Sequence, residues 1–177
     1  MRLARAWNWI AETEDLLWAI FHKYPGEKWA AVELSQNLLW EGRTRTLMAL
    51  YDEQAKMNPA DLSAKNNLAM TALLLEAREL RPQDLAQEVY RKAPTNAAYA
   101  STYAYSLHLQ NRNAEALSVF ERLKPGQLEE SSVALYYAVV LQATGNGERA
   151  RKYFNIAAGI KLLPEEQKLL NQARPKA

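Results

Sequence analysis

Residues 100–120 read ASTYAYSLHLQNRNAEALSVF, and residues 134–154 read ALYYAVVLQATGNGERARKYF. Laid over one another at an offset of 34, the two segments pair Ala100 with Ala134, Tyr103 with Tyr137, Ala104 with Ala138, Leu107 with Leu141, Ala116 with Ala150 and Phe120 with Phe154. The first four matches step by 3, 1 and 3 residues, so they share one face of a helix; the last two form an i, i+4 pair on a second helix. Between them lie Asn111-Arg112-Asn113 in one copy and Gly145-Asn146-Gly147 in the other, both turn-forming. The unit is helix, tight turn, helix, and a fixed period of this kind settles the architecture ahead of any single element.

The composition agrees. Of 177 residues, 29 are Ala and 26 are Leu, against 6 Gly and 7 Pro. Ala and Leu lead the helix scale, whereas Gly and Pro interrupt helices. The absence of Cys excludes a disulfide framework, a thiolate metal site and a cysteine nucleophile. Two histidines, His22 and His108, leave little for a histidine-based metal or catalytic cluster. The 22 basic and 20 acidic residues nearly balance, which removes the broad electrostatic case for nucleic acid or an anionic membrane. The longest apolar runs, such as Leu68 to Leu75, fall short of the ~20 residues that a spanning helix needs. A soluble chain is expected, compatible with the cytoplasm. The start, Met1-Arg2-Leu3-Ala4-Arg5-Ala6-Trp7, runs straight into Asn8, Glu12 and Glu14 without a leader, as in a piece of a longer protein.

Small residues at 104, 116, 138 and 150 let paired helices approach closely, and Phe120 and Phe154 fill the junction with the neighbouring pair. In period, in the small residue of each helix, and in the aromatic four residues after the second of them, residues 96–158 resemble the tetratricopeptide repeat. The resemblance implies an all-α, right-handed superhelix. Two weaker copies precede: Leu34, Ser35, Leu38, Gly42, Leu47, Tyr51 and Pro59 in one, and Leu68, Ala69, Ala72, Ala86, Tyr90 and Pro94 in the next. Tyr51 and Tyr90 are 39 residues apart, so about five extra residues lengthen the helix or turn around Glu76 to Asp84. Arg2 to Glu12 and Glu14 to Tyr24 read as a divergent pair joined at Thr13 and closed by Pro25-Gly26. Pro164 opens a last helix with Leu169 and Leu170 inward, covering the final face of the array. The whole is one domain of about eleven helices: hairpin 1–26, repeats 27–60, 62–95, 96–129 and 130–163, and a capping helix over 164–174.

The superhelix implied by the resemblance has the first helix of each pair on its inner wall. On the helical wheel, Ser101, Tyr105 and His108 fall on one stripe away from the packed face; their equivalents are Val32, Gln36 and Leu39; Asn66, Met70 and Leu73; and Leu135, Val139 and Gln142. Trp29 and Trp40 flank the first stripe. A carboxylate clamp would need Lys or Arg here, and the stripes hold neither. Their Leu, Val, Met, Tyr and Trp content suits an amphipathic helix or an apolar extended peptide. The competing reading makes the same residues core, covered by adjacent repeats or a second chain.

Other sites are weaker. Asp52-Glu53, Glu129-Glu130 and Glu165-Glu166 fit solvent faces or helix starts, where the helix dipole favours acid. His108 has no nucleophile or acid placed beside it by the sequence. Arg78, Arg81, Arg91 and Lys92 alternate with Glu76, Glu79 and Glu88, so neutralisation within the helix accounts for them. The five tryptophans, Trp7, Trp9, Trp18, Trp29 and Trp40, either fill an irregular hairpin interface or form an aromatic surface open to self-association. The expected function is a scaffold that binds a protein or peptide, with no catalysis, cofactor, metal, nucleic acid or membrane insertion. The alternative is a structural or oligomerisation segment of a larger protein.

Overall fold

The computed structural model describes residues 10–24 and 26–174, with side chains from Glu12 onward. Among these residues run eleven α-helices and no strand: α1 Ile10–Lys23, α2 Lys28–Glu41, α3 Thr44–Met57, α4 Leu62–Leu74, α5 Pro82–Lys92, α6 Ala97–Leu109, α7 Asn113–Phe120, α8 Pro125–Leu128, α9 Ser131–Ala143, α10 Gly147–Ala158 and α11 Pro164–Ala173. The fold is all-α, and the helices pack mainly against their neighbours in chain order. None of the described helices is long and apolar enough to cross a membrane.

Local chemistry starts these helices where they start. The Asp61 carboxylate accepts from the Ser63 and Ala64 amides at 2.9 and 3.0 Å, and the Asn96 side chain accepts from the Tyr99 amide at 3.2 Å. Pro82, Pro125 and Pro164 each occupy the first turn of their helix, where a missing N–H leaves no bond unmade.

The first helices of the four repeats, α2, α4, α6 and α9, all end alike. Gly42, Glu76, Asn111 and Gly145 take φ values of 70°, 55°, 60° and 78°. In each case the next amide reaches back to the fifth residue before it: Arg43 to Leu38, Ala77 to Ala72, Arg112 to Leu107 and Asn146 to Leu141, at 2.8–3.0 Å. This closure satisfies carbonyls that the helix end would otherwise leave bare. The four left-handed residues are spaced 34, 35 and 34 apart, so the period is written in the backbone even where side chains diverge. The five extra residues of the second repeat fall after its left-handed turn, where the chain forms a one-turn 3-10 helix over Arg78–Leu80 before α5 begins. They lengthen the connection, leaving the first-helix register intact.

Ala104, Ala116, Ala138 and Ala150 are fully buried, as close helix approach requires. At successive repeat junctions an aromatic of one second helix meets a tyrosine of the next first helix. Tyr90 stacks on Tyr103 with centroids 4.8 Å apart, and Phe120 meets Tyr137 at 5.1 Å. The buried residues form two main clusters. One runs from Leu73 to Leu170; the other gathers Leu17, Phe21, Ala30, Ala31, Leu34, Leu38, Leu47 and Leu50, together with the distant Leu163.

Two expectations change. The joint expected at Thr13 does not exist, because α1 runs unbroken from Ile10 to Lys23. The first half of that expected pair, with Trp7 and Trp9, lies largely outside the described residues. The short helix α8, opened by Lys124-Pro125-Gly126, was not anticipated.

Candidate functional site

Numbering the four stripes by their turns aligns Val32, Asn66, Ser101 and Leu135; then Gln36, Met70, Tyr105 and Val139; then Leu39, Leu73, His108 and Gln142. Their exposure is graded along the chain. Val32 is 50 % exposed, Asn66 5 %, Ser101 0 % and Leu135 1 %. Tyr105, Val139 and Leu73 are buried, Met70, His108 and Gln142 half-buried, and Gln36 and Leu39 exposed.

A continuous solvent-facing wall is therefore not present, and Asn66, Leu73, Ser101, Tyr105, Leu135 and Val139 are core. The cause is the stacking of first helix on first helix, α4 on α6 and α6 on α9. The Ser101 hydroxyl donates to the Ser132 carbonyl in α9 at 3.1 Å, and the Tyr105 ring meets Tyr136 of α9 at 4.8 Å. The stripe of α6 is thus the inter-repeat seam. Burial, followed by the nearby carboxylates of Glu166 and Glu76, pushes the Tyr105 phenol up to about 12. His108 Nδ1 lies 2.6 Å from the Asn113 side chain across the turn, a contact that ties two helices of one repeat.

At the last repeat the covering element is the C-terminal segment. After α10 the chain leaves helix at Gly159–Leu163, then forms α11, which packs on α9 and α10. Leu170 is 3 % exposed in the C-terminal cluster, with Leu169 and Leu162 packed against it. The Glu166 carboxylate accepts from the Tyr136 hydroxyl and from the Leu163 amide, at 2.5 and 2.9 Å. From there the segment reaches back to the first repeat. Leu163 is 4 % exposed within the N-terminal cluster, the Thr44 hydroxyl donates to Glu165, and Lys161 Nζ lies 5.4 Å from the Trp40 ring centroid. Pro164 packs so closely on Gly42 that a Cβ there would stand 3.1 Å from the ring. Glu165 and Glu166, expected at a helix start, do stand there, yet both are half-buried and partnered across the array. Sequence reasoning missed this tie; its one signal was Leu162-Leu163, a pair of large apolar residues in a non-helical connector.

What remains open is the first repeat. The buried face of α2 carries Ala30, Ala31, Leu34 and Leu38; its opposite face carries Trp29 at 46 %, Val32, Gln36, Leu39 at 39 % and Trp40 at 72 % exposed. No extensive packing joins α2 to α4. Instead a cleft of about 200 Å³ separates them, with Ala31, Val32, Tyr51 and Ala64 as its apolar lining and Lys28, Asp61 and Asn67 among its polar lining. Burial raises the Tyr51 phenol above its ordinary value, opposed by its hydrogen bond with Ser35. A second cleft of about 350 Å³ lies beside the 3-10 insertion, lined by Leu73, Tyr105, Leu109, Glu76 and Arg78 among others.

Several of the remaining polar candidates are engaged by side-chain partners. Glu53 meets the His22 ring, Asp52 pairs with Lys56, Glu129 with Lys152, and Arg81 with Asp84, while Glu88 is shared by Lys65 and Lys92. Lys65 first and then Lys92 hold the Glu88 carboxyl below its ordinary range. Trp18 packs on Phe21 and His22 of its own helix α1, unlike the open Trp29 and Trp40. Among the described residues no group of three or more His, Asp or Glu is placed to hold a metal ion. No family model matches the chain, and no curated protein matches it.

Proposed function

We propose that this chain is a non-catalytic protein–protein interaction scaffold of the tetratricopeptide class, and that it engages its partner through the first repeat. The observation that carries the reading is the doubly apolar helix α2. A surface helix normally buries one apolar stripe and turns a polar face to water. Here Trp29, Val32, Leu39 and Trp40 form a second stripe, opposite the buried one. An exposed apolar face of this kind fits an interaction surface, and its residue types suit a helix or extended peptide laid along α2, beside the cleft that Val32 lines. The recurring left-handed turns at 34, 35 and 34 residues support the family reading. The inner wall contributes less than its residue types imply, since three of its four stripes serve mainly as seams.

A second reading, self-association as part of a larger assembly, draws on the same exposed tryptophans. A photoreactive benzoylphenylalanine in place of Gln36 in the full chain separates the two. The scaffold reading expects adducts with a different protein, lost in a Val32→Asp, Trp40→Asp variant whose melting temperature is unchanged. Adducts of twice the 20.1 kDa chain mass, with the same mass in light scattering, favour self-association. Labelling at Gln36 no greater than at the exposed Glu121 overturns both.

A further inference from the structure

The tie between the two ends of the array has the make-up of a bound ligand. Three features of the α2–α3 corner receive it: the buried apolar cluster of the first repeat, which includes Leu34, Leu38 and Leu47 and which Leu163 joins; the left-handed Gly42, whose missing Cβ admits the Pro164 ring; and the 3 % exposed Thr44, whose hydroxyl donates to Glu165. Glu165 also stands at the first turn of α3, where the helix dipole favours negative charge. The segment that delivers these groups is covalently joined to α10 by the non-helical Gly159–Leu163, and α11 beyond it rests on α9 and α10. It covers little of what lies beside the corner, because Lys161 meets one face of Trp40 while that residue stays 72 % exposed.

We propose that this corner is a peptide-binding site filled in cis, and that Leu163-Pro164-Glu165 is the pattern of the ligand it takes in trans. That ligand is a leucine followed by proline and a carboxylate at the start of a helix. The inference rests on the scaffold reading and names the partner's chemistry. A trans ligand displaces the C-terminal segment and extends along Leu39 and Trp40, continuous with the open stripe of α2. The affinity seen for such a ligand is reduced by the fraction of chains whose corner is occupied in cis.

The probe is a fluorescent synthetic peptide spanning residues 160–173, titrated against the full chain. The unmodified chain binds it weakly, and the chain carrying Leu163→Ser binds it at least tenfold more tightly because its own segment competes less well. The peptide carrying Leu163→Ser binds neither. Equal affinity for both chains, or undiminished binding of the altered peptide, overturns the proposal. Native-state hydrogen exchange gives a readout that needs no change at Leu163. Amides of α11 exchange at least tenfold faster than those of α9, and Thr44→Val, some 120 residues away in sequence, speeds α11 further while leaving α7 unchanged. Exchange of α11 locked to that of α9, or indifferent to Thr44, refutes a displaceable segment. Such a failure leaves the cross-link at Gln36 standing, whereas loss of that cross-link with peptide binding intact removes the α2 stripe alone.

Discussion

Replacing Gly42 by alanine probes the seat of Pro164, and the repeat supplies its own control. Gly42 and Gly145 occupy equivalent helix ends with φ of 70° and 78°. An alanine at either enters the left-handed region at about 1–2 kcal/mol, partly offset by about 0.4–1 kcal/mol of lost unfolded-chain entropy. Both effects are common to the pair. Only at Gly42 does the new Cβ meet anything, standing 3.1 Å from Cγ and 3.2 Å from Cδ of Pro164; around Gly145 nothing lies within 4 Å. Overpacking costs about 1–3 kcal/mol, and a contact short by a few tenths of an ångström falls at the low end. Gly42→Ala is therefore expected to destabilise by about 1 kcal/mol more than Gly145→Ala, or roughly 2–4 °C in a chain of this size. Urea titrations followed by circular dichroism measure the difference as a shift of midpoint at constant slope. Pro164→Ala removes the ring atoms, and in that background the two glycine substitutions should agree within about 0.5 kcal/mol. Equal losses in the unmodified background, or an excess that survives loss of the ring, refute the placement of Pro164 on this turn.

Glu76 holds a left-handed conformation, φ 55°, that glycine adopts without strain. Glu76→Gly is expected to stabilise by up to about 1 kcal/mol, a gain visible in thermal melts, and a loss there would contradict the turn geometry. Ala104 is fully buried where two helices meet, so Ala104→Leu should cost about 1–3 kcal/mol and lower the urea midpoint; tolerance would mean that the helices are not in close contact. Tyr105 gives an alkaline signature. Its phenol, ordinarily at 10, is pushed up to about 12 by burial and then by Glu166 and Glu76. Between those values the unfolded chain has lost a proton that the folded chain keeps, so stability is full below pH 10 and falls as pH rises towards 12. The loss from this one group is about 2–3 kcal/mol, and Tyr105→Phe should flatten the slope of unfolding free energy against pH; an unchanged slope would place the ring in water.

The period was legible because it is local and repeated: 3.6-residue apolar spacing within each helix, and the same Ala and Phe positions in the next copy. The equivalence of the four stripes was legible for the same reason, and the left-handed turns fall at the same spacings. The solvent-facing side was not. Every residue from Val133 to Leu141 is buried, and a helix apolar round its whole circumference gives the wheel no direction to point. Ser101 misled in another way. Its hydroxyl is satisfied by the Ser132 carbonyl, so a residue expected on the open wall is core. The hydrogen bond of Thr44 to Glu165 spans 121 residues and leaves no periodic trace. The open face of α2 was readable only in residue type, since its exposure depends on α4 standing away from it.

Arrays of stacked helix pairs behave as springs, because each repeat touches only its neighbours and small rotations add along the axis. The tie of Leu163 and Glu165 to the first repeat short-circuits such a spring. With the last connector anchored in the first core, the pitch between the first and last repeats is fixed by side-chain contact, and the sum of the intervening rotations no longer sets it. Under tension the protein should hold its length until the tie parts, then extend freely, so its elasticity has a threshold where an untied array of the same repeats has none.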